Sequence, residues 1–475
     1  MRTPRLALAL GSLAMLVACG GRHGSDAEAT PAATPAAKNV IFFLGDGMGI
    51  ATQTAARIYS VGEAGDLTMD TLPETAFIKT HSNDAQVTDS APSMSAYMTG
   101  VKANNEVISM SADTRAVDPN PDYTTQVVPG NGQAVTTLLE LAKAAGRGTG
   151  VVTTTRITHA TPAATYAHVP HRDAEADIAA QLVPGGAGFN ANLKDGVDVV
   201  FGGGQQFFLP KAKGGKRADG RDLPAELQAK GYTFVSDRSG FDALKVGTRA
   251  VGLFTSSHMS YDLDRDPAKE PSLAEMSVKA VQTLSRNTNG FFLMVEGGRI
   301  DHALHETTAK KALQDTVAFD NAIQATLDEV RKTDPELKNT LVVVTADHDH
   351  TLVLNGYAKR TGKTTPSSPG VLGLLRNYSD GSIARDLDGK PFTIIGFGNG
   401  ENRPRGSRAL QADLTDDVVG AATYHQEAAI RVSAGSETHG GTDVWLGAIG
   451  FGAPTFKGTL DNTAVFTLVK KAAGL

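Results

Sequence analysis

Apolar residues along the chain fall into two patterns: short unbroken runs and longer stretches with helical spacing. The run Asn39–Leu44 is nearly all apolar and stops at Gly45-Asp46-Gly47, which is typical of a strand buried on both faces. Similar runs predict further strands at 150–154, 197–201, 290–295, 340–345, 392–397 and 444–449. Helical spacing predicts helices at 134–145, 174–182, 272–284, 309–333 and 464–473. Strands alternating with helices predict an α/β fold, with a mostly parallel central sheet flanked by helices.

Two segments depart from this pattern. Residues 202–250 are rich in loop-forming residues, and residues 352–438 carry many Gly, Pro, Ser and Asn residues, which indicates an insertion or accessory lobe. The 475 residues allow two or three domains, although one α/β domain with insertions fits equally well. Hydrophobic content of 41%, charged content of 20% and a net charge of -6 describe an ordinary globular protein and disfavour nucleic-acid binding.

The N-terminus predicts export rather than a folded element. Arg2 and Arg5 precede the apolar stretch Leu6–Ala18, which suits a signal-peptide core and is too short to span a bilayer comfortably. Its end, Leu16-Val17-Ala18-Cys19, resembles a bacterial lipoprotein signal box, in which the cysteine carries lipid. The alternative is an ordinary signal peptide with an incidental cysteine. We expect a signal peptide over 1–18, lipidated Cys19 and a flexible tether over 19–37, and a periplasmic, membrane-anchored protein.

Polar residues follow three of the predicted strands where each strand ends. Asp46 follows the first run, Glu296 follows 290–295, and Asp347 with His348 follows 340–345. Because the carboxyl ends of parallel strands meet at one edge of a sheet, these side chains should lie together. Carboxylates and neutral imidazoles are the usual ligands of divalent metals, so the sequence predicts a metal centre at this edge.

Two further clusters extend the ligand set. Asp301 and His305 would share one face of a helix that begins near Asp301, although a charged loop with a surface pair is the simpler alternative. In Asp347-His348-Asp349-His350, the first two residues are the predicted ligands and His350 the partner that orients one of them. A polar turn that closes a buried strand explains this second cluster about equally well.

Three isolated residues complete the candidate site. Ser90, after Asp89, suits the start of a helix, where backbone N–H groups favour a phosphate; a plain helix cap is the alternative. His439 precedes two glycines and could supply a third metal ligand, or could be a turn histidine. Arg172 offers a planar donor fork for phosphate oxygens, or it is a surface arginine.

Taken in order, these motifs resemble those of the alkaline phosphatase family from about Lys38 to about Gly450. The motifs that carry the resemblance are Gly45-Asp46-Gly47-Met48-Gly49, Val87-Thr-Asp-Ser-Ala, Glu296-Gly-Gly-Arg-Ile-Asp301-His302, Thr345-Ala-Asp347-His348 and Thr438-His439-Gly440-Gly441. The resemblance implies a three-layer sandwich and a catalytic domain over 38–475, with a small crown-like insertion over 384–438.

The same resemblance implies roles for individual residues. Ser90 would be the nucleophile that becomes phosphoserine, and Arg172 would bind the phosphate. The implied cofactors are two Zn²⁺ ions and one Mg²⁺ ion. The implied ligand sets are Asp301, His305 and His439 for the first zinc, Asp46, Asp347 and His348 for the second, and Asp46, Thr161 and Glu296 for magnesium.

Several positions resemble the animal enzymes more than the best-known bacterial one. His159 and His302 stand where that bacterial enzyme has Asp and Lys, and with His350 they are expected to surround the metal ligands without binding a cation. Thr255 and Glu270 fall where animal enzymes use acidic residues for an additional calcium site, which Thr255 puts in doubt. The implied turnover and pH optimum therefore do not transfer.

The expected activity is hydrolysis of small phosphomonoesters at alkaline pH, with broad specificity and a homodimer implied by the resemblance. A phosphodiesterase or sulfatase of the same superfamily is the main alternative, and Arg172 and the full magnesium set weigh against it. A non-catalytic, lipid-anchored phosphate or zinc scavenger would not need Ser90 at a helix start. A related phosphoglycerate mutase would be cytosolic, which the predicted signal peptide contradicts.

Overall fold

A ten-stranded sheet runs through the protein in the computed structural model, which describes residues 36–475. The predicted signal peptide, Cys19 and most of the predicted tether lie outside the described residues. Residues 36–475 form one compact unit.

The strands and helices alternate along most of the chain. The strands are β1 (Asn39–Gly45), β2 (Glu74–Lys79), β3 (Gly148–Arg156), β4 (Val199–Gly203), β5 (Thr233–Val235), β6 (Ala250–Leu253), β7 (Phe291–Gly297), β8 (Thr340–Thr345), β9 (Asp349–His350), β10 (Leu352–Leu354), β11 (Ile395–Gly400), β12 (Ala428–Arg431), β13 (His439–Gly440), β14 (Val444–Gly450) and β15 (Gly458–Asp461). The α-helices are α1 (Ile50–Val61), α2 (Ser90–Thr99), α3 (Leu138–Ala144), α4 (Ala160–Tyr166), α5 (Glu175–Gln181), α6 (Leu223–Ala229), α7 (Arg238–Ala243), α8 (Leu273–Leu284), α9 (Arg299–His305), α10 (Ala309–Arg331), α11 (Asp416–Val419) and α12 (Asn462–Ala473).

The sheet is almost entirely parallel, as the alternation of strands and helices predicts. Its order is β15-β2-β14-β8-β1-β7-β3-β4-β6-β5, and β14 is the strand that runs against its two neighbours. The three strands β8, β1 and β7 lie side by side at the centre, with Leu44 in register with both Glu296 and Thr345. Their carboxyl ends therefore share one edge of the sheet, and the polar residues that follow them meet there.

Helices cover both faces of the sheet, which confirms the predicted layered α/β fold. Phe42 and Phe43 are adjacent on β1 and fully buried, so they point to opposite faces. Phe42 packs on Tyr97 of α2 with ring centroids 5.6 Å apart, and Phe43 packs edge-on against Phe319 of α10 at 5.9 Å. Each buried ring contributes roughly 1.5–3 kcal/mol to folding. One face thus holds the helix that begins at Ser90, and the other holds α10.

Helix and strand boundaries differ from the predictions where local caps or register decide them. The helix predicted at 134–145 begins at Leu138, because Thr137 and Glu140 form a capping box in which each side chain accepts from the other residue's backbone N–H. The strand predicted at 392–397 begins at Ile395 and lies outside the central sheet. The loop-rich segment 202–250 also contains α6, α7 and β5, and β5 is an edge strand of the central sheet.

The segment 352–438 builds a sheet of its own. Strand β11 pairs with β10 in antiparallel and with β12 in parallel orientation. A separate two-stranded ladder pairs His439 of β13 with His350 of β9. The end of this segment is thereby tied to the metal-ligand motif that follows β8. Among the residues described, no helix is long and apolar enough to cross a membrane.

Asp315 of α10 is a buried carboxylate that should make stability depend on pH. Burial, followed by the nearby charge of Asp262, raises the pKa of Asp315 to about 8. Its folded-state pKa lies above the unfolded value, so between about pH 4 and pH 8 the unfolded chain has released this proton while the folded protein keeps it. Folding stability from this group therefore falls as pH rises, by up to about 1.4 kcal/mol per pH unit.

Asp315→Asn should therefore stabilise the protein at alkaline pH. The amide oxygen can still accept the hydrogen bond from the Asp262 backbone N–H, 3.2 Å away, but it carries no charge to bury. We expect the gain in melting temperature to be larger at pH 9 than at pH 5, measured by calorimetry. An equal gain at both pH values would show that Asp315 does not titrate in this range.

Candidate active site

Ser90 is the first residue of α2 and is almost fully buried. Asp89 caps this helix, because its Oδ1 accepts from the backbone N–H of Ala91 at 2.7 Å. The Ser90 Oγ lies 3.4 Å from Asp46 Oδ1 and 3.3 Å from His348 Nε2. The hydroxyl is therefore held at a helix N-terminus and beside two side chains from the sheet edge.

Two glycines make room for this arrangement in the turn after β1. Gly47 has φ +67°, and a Cβ there would lie 2.6 Å from the His350 ring. A Cβ on Gly49 would lie 1.5 Å from Asp349 Oδ1. The Gly47 N–H donates to Asp347 Oδ1 at 3.0 Å. The turn that carries Asp46 therefore packs directly against the ligand motif after β8.

Three groups of metal-ligating side chains converge in the part of the chain that the structure describes. Within each group, one ligand atom from every member lies within 4.8 Å of the others. The first cluster is Asp301, His305, His350 and His439; the second is Asp46, Asp301 and His348; the third is Asp46, His159 and Glu296.

In the first cluster, backbone carbonyls set the histidine tautomers. His305 Nδ1 faces the carbonyl oxygen of Glu437, and His439 Nδ1 lies 2.7 Å from that of Thr88. A carbonyl oxygen only accepts, so each Nδ1 carries a proton, and each ring in its neutral form presents the Nε2 lone pair to the cluster. These Nε2 atoms lie 3.2 Å apart, and each lies within 3.6 Å of Asp301 Oδ1. Three acceptors thus face one point.

The second cluster repeats this arrangement. His348 Nδ1 lies 3.2 Å from the Asp349 carbonyl oxygen, so its Nε2 lone pair faces Asp46 Oδ1 at 3.4 Å and Asp347 Oδ2 at 3.3 Å. Asp347 Oδ2 is buried and accepts no hydrogen bond from any residue within 36–475. Burial lowers the pKa of His348 to about 3, which keeps its imidazole neutral.

The third cluster combines carboxylates with hydroxyl groups. Asp46 Oδ2 accepts from the Thr161 hydroxyl at 3.3 Å. Glu296 Oε2 accepts hydrogen bonds from the hydroxyls of Thr153 and Thr155. The other oxygen, Glu296 Oε1, is buried and has no hydrogen-bond partner in the described part of the chain. His159 Nδ1 is also buried and has no hydrogen-bond partner among the described residues.

Charge repulsion is strong among these carboxylates. Burial, followed by the charges of Asp347 and Asp301, raises the pKa of Asp46 well above its usual range. Burial raises the pKa of Glu296 to about 7, against the hydrogen bonds from its threonines. Burial also opposes ionisation of Asp301, but His305 and the other imidazoles outweigh it and hold the pKa of Asp301 well below normal.

This donor set fits divalent cations. Converging lone pairs and unpartnered carboxylate oxygens in a buried site are costly unless a cation binds them. Imidazole and carboxylate ligands in the first two clusters suit zinc, and the oxygen-rich third cluster also suits magnesium.

Known proteins match most of the described chain. A sequence profile of the family described as alkaline phosphatase matches residues 37–475. The chain belongs to the alkaline phosphatase family. It is 39% identical over 456 residues to the tissue-nonspecific alkaline phosphatase of Rattus norvegicus, covering 88% of this chain and 80% of the rat protein.

Solved structures agree with this assignment. The alkaline phosphatase of Thermus thermophilus matches with a TM-score of 0.66 and 26% identity, over 93% of this chain and 92% of that one. A variant of TAB5 alkaline phosphatase with Mg bound in its M3 site matches with a TM-score of 0.63 and 25% identity, over 93% and 99% of the two chains. As an alkaline phosphatase, the protein is a metal-dependent hydrolase of phosphate monoesters.

Arg172 lies at this alkaline phosphatase site, where it contacts one residue next to Ser90 and one member of the third cluster. Its Nη1 donates to Asp89 Oδ1 at 3.0 Å and its Nη2 to His159 Nε2 at 3.0 Å. The guanidinium is thus held in place by the helix cap next to Ser90. The sequence motif gave no indication of the Asp89 contact, because a capping aspartate is common at any helix start.

A histidine that the sequence did not single out completes a group of three around the third cluster. His258 lies with its ring centroid 4.2 Å from that of His302 and 5.3 Å from that of His159. An arginine lies within hydrogen-bond distance of a ring nitrogen of each: Arg172 at His159, Arg156 at His258 and Arg299 at His302. No metal-binding motif surrounds His258 in the sequence, so only the fold reveals it.

The two residues that fall at the position of the animal enzymes' additional calcium site make hydrogen bonds to neighbouring residues. The Thr255 hydroxyl donates to the Ser257 carbonyl oxygen at 2.8 Å, and Glu270 accepts from the backbone N–H and hydroxyl of Ser260. Glu270 belongs to none of the three clusters found in the described residues.

Removing divalent cations should destabilise the enzyme as well as inactivate it, because the buried carboxylates lose their counter-charge. A ligand present at about 1,000 times its Kd contributes about 4 kcal/mol to folding. We expect EDTA to lower the melting temperature by several degrees and to abolish phosphomonoester hydrolysis, with both restored by added metal. EDTA loaded beforehand with zinc is the control, and an unchanged melting temperature in free EDTA would contradict the expectation.

Proposed function

We propose that Ser90 is the nucleophile of this alkaline phosphatase and that hydrolysis passes through a phosphoserine. The observation that carries the proposal is the position of Ser90 Oγ, at the N-terminus of α2 and within 3.4 Å of both Asp46 and His348. The backbone N–H groups of the first helical turn favour the phosphate that would be attached there.

The metal ligands are proposed from family membership together with the clusters around this hydroxyl, with Asp347 instead of Asp301 in the second set and Thr161 instead of His159 in the third. Two Zn²⁺ ions would be held by Asp301, His305 and His439 and by Asp46, Asp347 and His348, and one Mg²⁺ ion by Asp46, Thr161 and Glu296. When bound, such cations lower the pKa of a hydroxyl or water and stabilise charge on the leaving oxygen. His159, His302 and His350 would orient the surrounding groups without binding a cation.

Two displacements at phosphorus follow from these assignments. Ser90 Oγ, hydrogen-bonded to Asp46 Oδ1, passes its proton to water and forms a bond to phosphorus as the bond to the alcohol oxygen breaks, and the departing oxygen takes a proton from water to leave as the alcohol. Arg172, held by Asp89, donates to the non-bridging phosphate oxygens. Water then attacks the phosphoserine, the Oγ–phosphorus bond breaks, and inorganic phosphate leaves while Ser90 regains a proton.

Ser90→Ala should remove activity while leaving metal binding intact. The lost hydroxyl is the attacking group, so we expect turnover of a nitrophenyl phosphate monoester to fall by several orders of magnitude. Ser95→Ala, on the same buried helix, is the matched control and should retain most activity. Labelling with radioactive phosphate at low pH, followed by denaturation, should mark the wild type but not Ser90→Ala.

The same hydrolysis assay distinguishes a phosphomonoesterase from the main alternative, a phosphodiesterase or sulfatase. A preference for the matching nitrophenyl diester over the monoester would assign the protein to a phosphodiesterase branch and remove the proposed role of Arg172. A sulfatase would instead prefer the nitrophenyl sulfate ester. The Arg172 guanidinium, held by Asp89, supports a monoester substrate, because a monoester presents more anionic oxygens to the guanidinium than a diester does.

We further propose that the enzyme is an exported lipoprotein and a homodimer. The support for export is the apolar stretch that ends in Leu16-Val17-Ala18-Cys19, and the support for the dimer is family membership. The anchor would place the enzyme on the periplasmic side of a bacterial membrane.

Cys19→Ser should release the enzyme from membranes, because it removes the lipid-bearing thiol. We expect wild-type activity to sediment with membranes in a bacterial host with a lipoprotein pathway and the variant to appear in the soluble extracytoplasmic fraction. Equal distribution of the two proteins would favour an ordinary signal peptide with an incidental cysteine.

A further inference from the structure

Glu437 lies behind the first metal cluster and has no place in the proposed mechanism. It precedes His439 by two residues, and only 1% of its surface is exposed. A carboxylate is rarely buried to this extent without a structural or functional partner.

The side chain of Glu437 clamps the ring of His350. Its Oε1 accepts from the backbone N–H of Thr351 at 2.8 Å and from the Thr351 hydroxyl, and its Oε2 lies 2.5 Å from His350 Nδ1. The other ring nitrogen, Nε2, lies 2.7 Å from Asp301 Oδ1. The imidazole is therefore fixed between two carboxylates, and one of them is a member of the metal cluster.

The backbone of Glu437 fixes a second ligand. Its carbonyl oxygen accepts from His305 Nδ1, and its own N–H donates to the His305 carbonyl oxygen at 3.2 Å. The first contact settles which nitrogen of His305 faces the cluster, and the second ties the end of α9 to the strand that carries His439. One residue thus contacts both sides of the first cluster.

We infer that Glu437 is the positioning residue of the first metal cluster. Through its side chain it holds His350 against Asp301, and through its carbonyl it turns His305 Nε2 toward the same point. The inference rests on the proposed zinc site. Partners of this kind typically change metal affinity or activity by about 10- to 100-fold when they are replaced.

Glu437→Gln is the direct test. The amide oxygen can still accept from the Thr351 N–H, but a neutral amide replaces the charged carboxylate that His350 Nδ1 contacts, which weakens the hold on the ring. We expect zinc affinity at this cluster to fall about 10- to 100-fold in competition with a chromogenic chelator. Activity should recover at higher zinc concentration, and the absorption spectrum of the cobalt-substituted protein should shift.

A matched control comes from the same region of the chain. Glu427 is a partly buried carboxylate that pairs with Arg408 at 2.9 Å and belongs to none of the three clusters found in the described residues. Glu427→Gln should leave zinc affinity and the cobalt spectrum unchanged even if it lowers stability. If Glu437→Gln does not fold, Glu437→Asp keeps the charge, withdraws it from His350 by one methylene, and should weaken zinc binding in the same direction.

The outcomes separate this inference from the proposed function. Wild-type protein that binds no zinc would overturn the proposed zinc site and the inference with it. Wild-type protein that binds zinc, with Glu437→Gln binding equally tightly, would overturn the inference alone. Equal weakening in Glu437→Gln and Glu427→Gln would also overturn it, because the effect would then be general destabilisation.

Discussion

The structure depends on bringing buried carboxylates and imidazole lone pairs together where hydrogen-bond donors reach only some of the carboxylate oxygens. Asp46, Asp301 and Asp347 are buried at the carboxyl edge of three central strands, and histidine lone pairs point among them. Such a grouping is unfavourable for an isolated chain, since buried charges of like sign repel and cannot be hydrated. The parallel sheet supplies the rigid frame that holds them, and divalent cations supply the compensating charge. Folding and metal binding are therefore thermodynamically coupled in this enzyme.

Much of this frame can be predicted from the sequence because fully buried strands leave a strong signal. The continuous apolar runs of β1, β7 and β8 predict the three central strands and, with them, the edge at which Asp46 and Glu296 lie. Strand β2 leaves a weaker signal, since its apolar residues alternate and Phe77 faces outward with 47% exposure. The helix that begins at Leu138 was predicted to begin at residue 134, because apolar spacing does not show where a capping box sets the start of a helix.

Only some members of the metal clusters could be predicted from the sequence. Asp301 and His305 stand one helical turn apart and predict a shared ligand face, which α9 provides. His258 and Glu437 belong to no such spacing. Their proximity to the site comes from loops that the fold brings back across more than 40 and 130 residues, respectively. A contact set by tertiary packing leaves no periodic trace in one sequence.

Tautomer control shows how the fold prepares the site before any cation arrives. In each case a backbone carbonyl, from Thr88, Asp349 or Glu437, accepts a hydrogen bond from Nδ1–H and leaves the Nε2 lone pair facing inward. Since the Glu437 carbonyl lies in the segment 352–438, the position of that segment matters for chemistry that takes place at the central sheet. The pairing of β13 with β9 after the end of that segment places His439 next to His305. The insertion therefore acts on the site through the position of its C-terminal end.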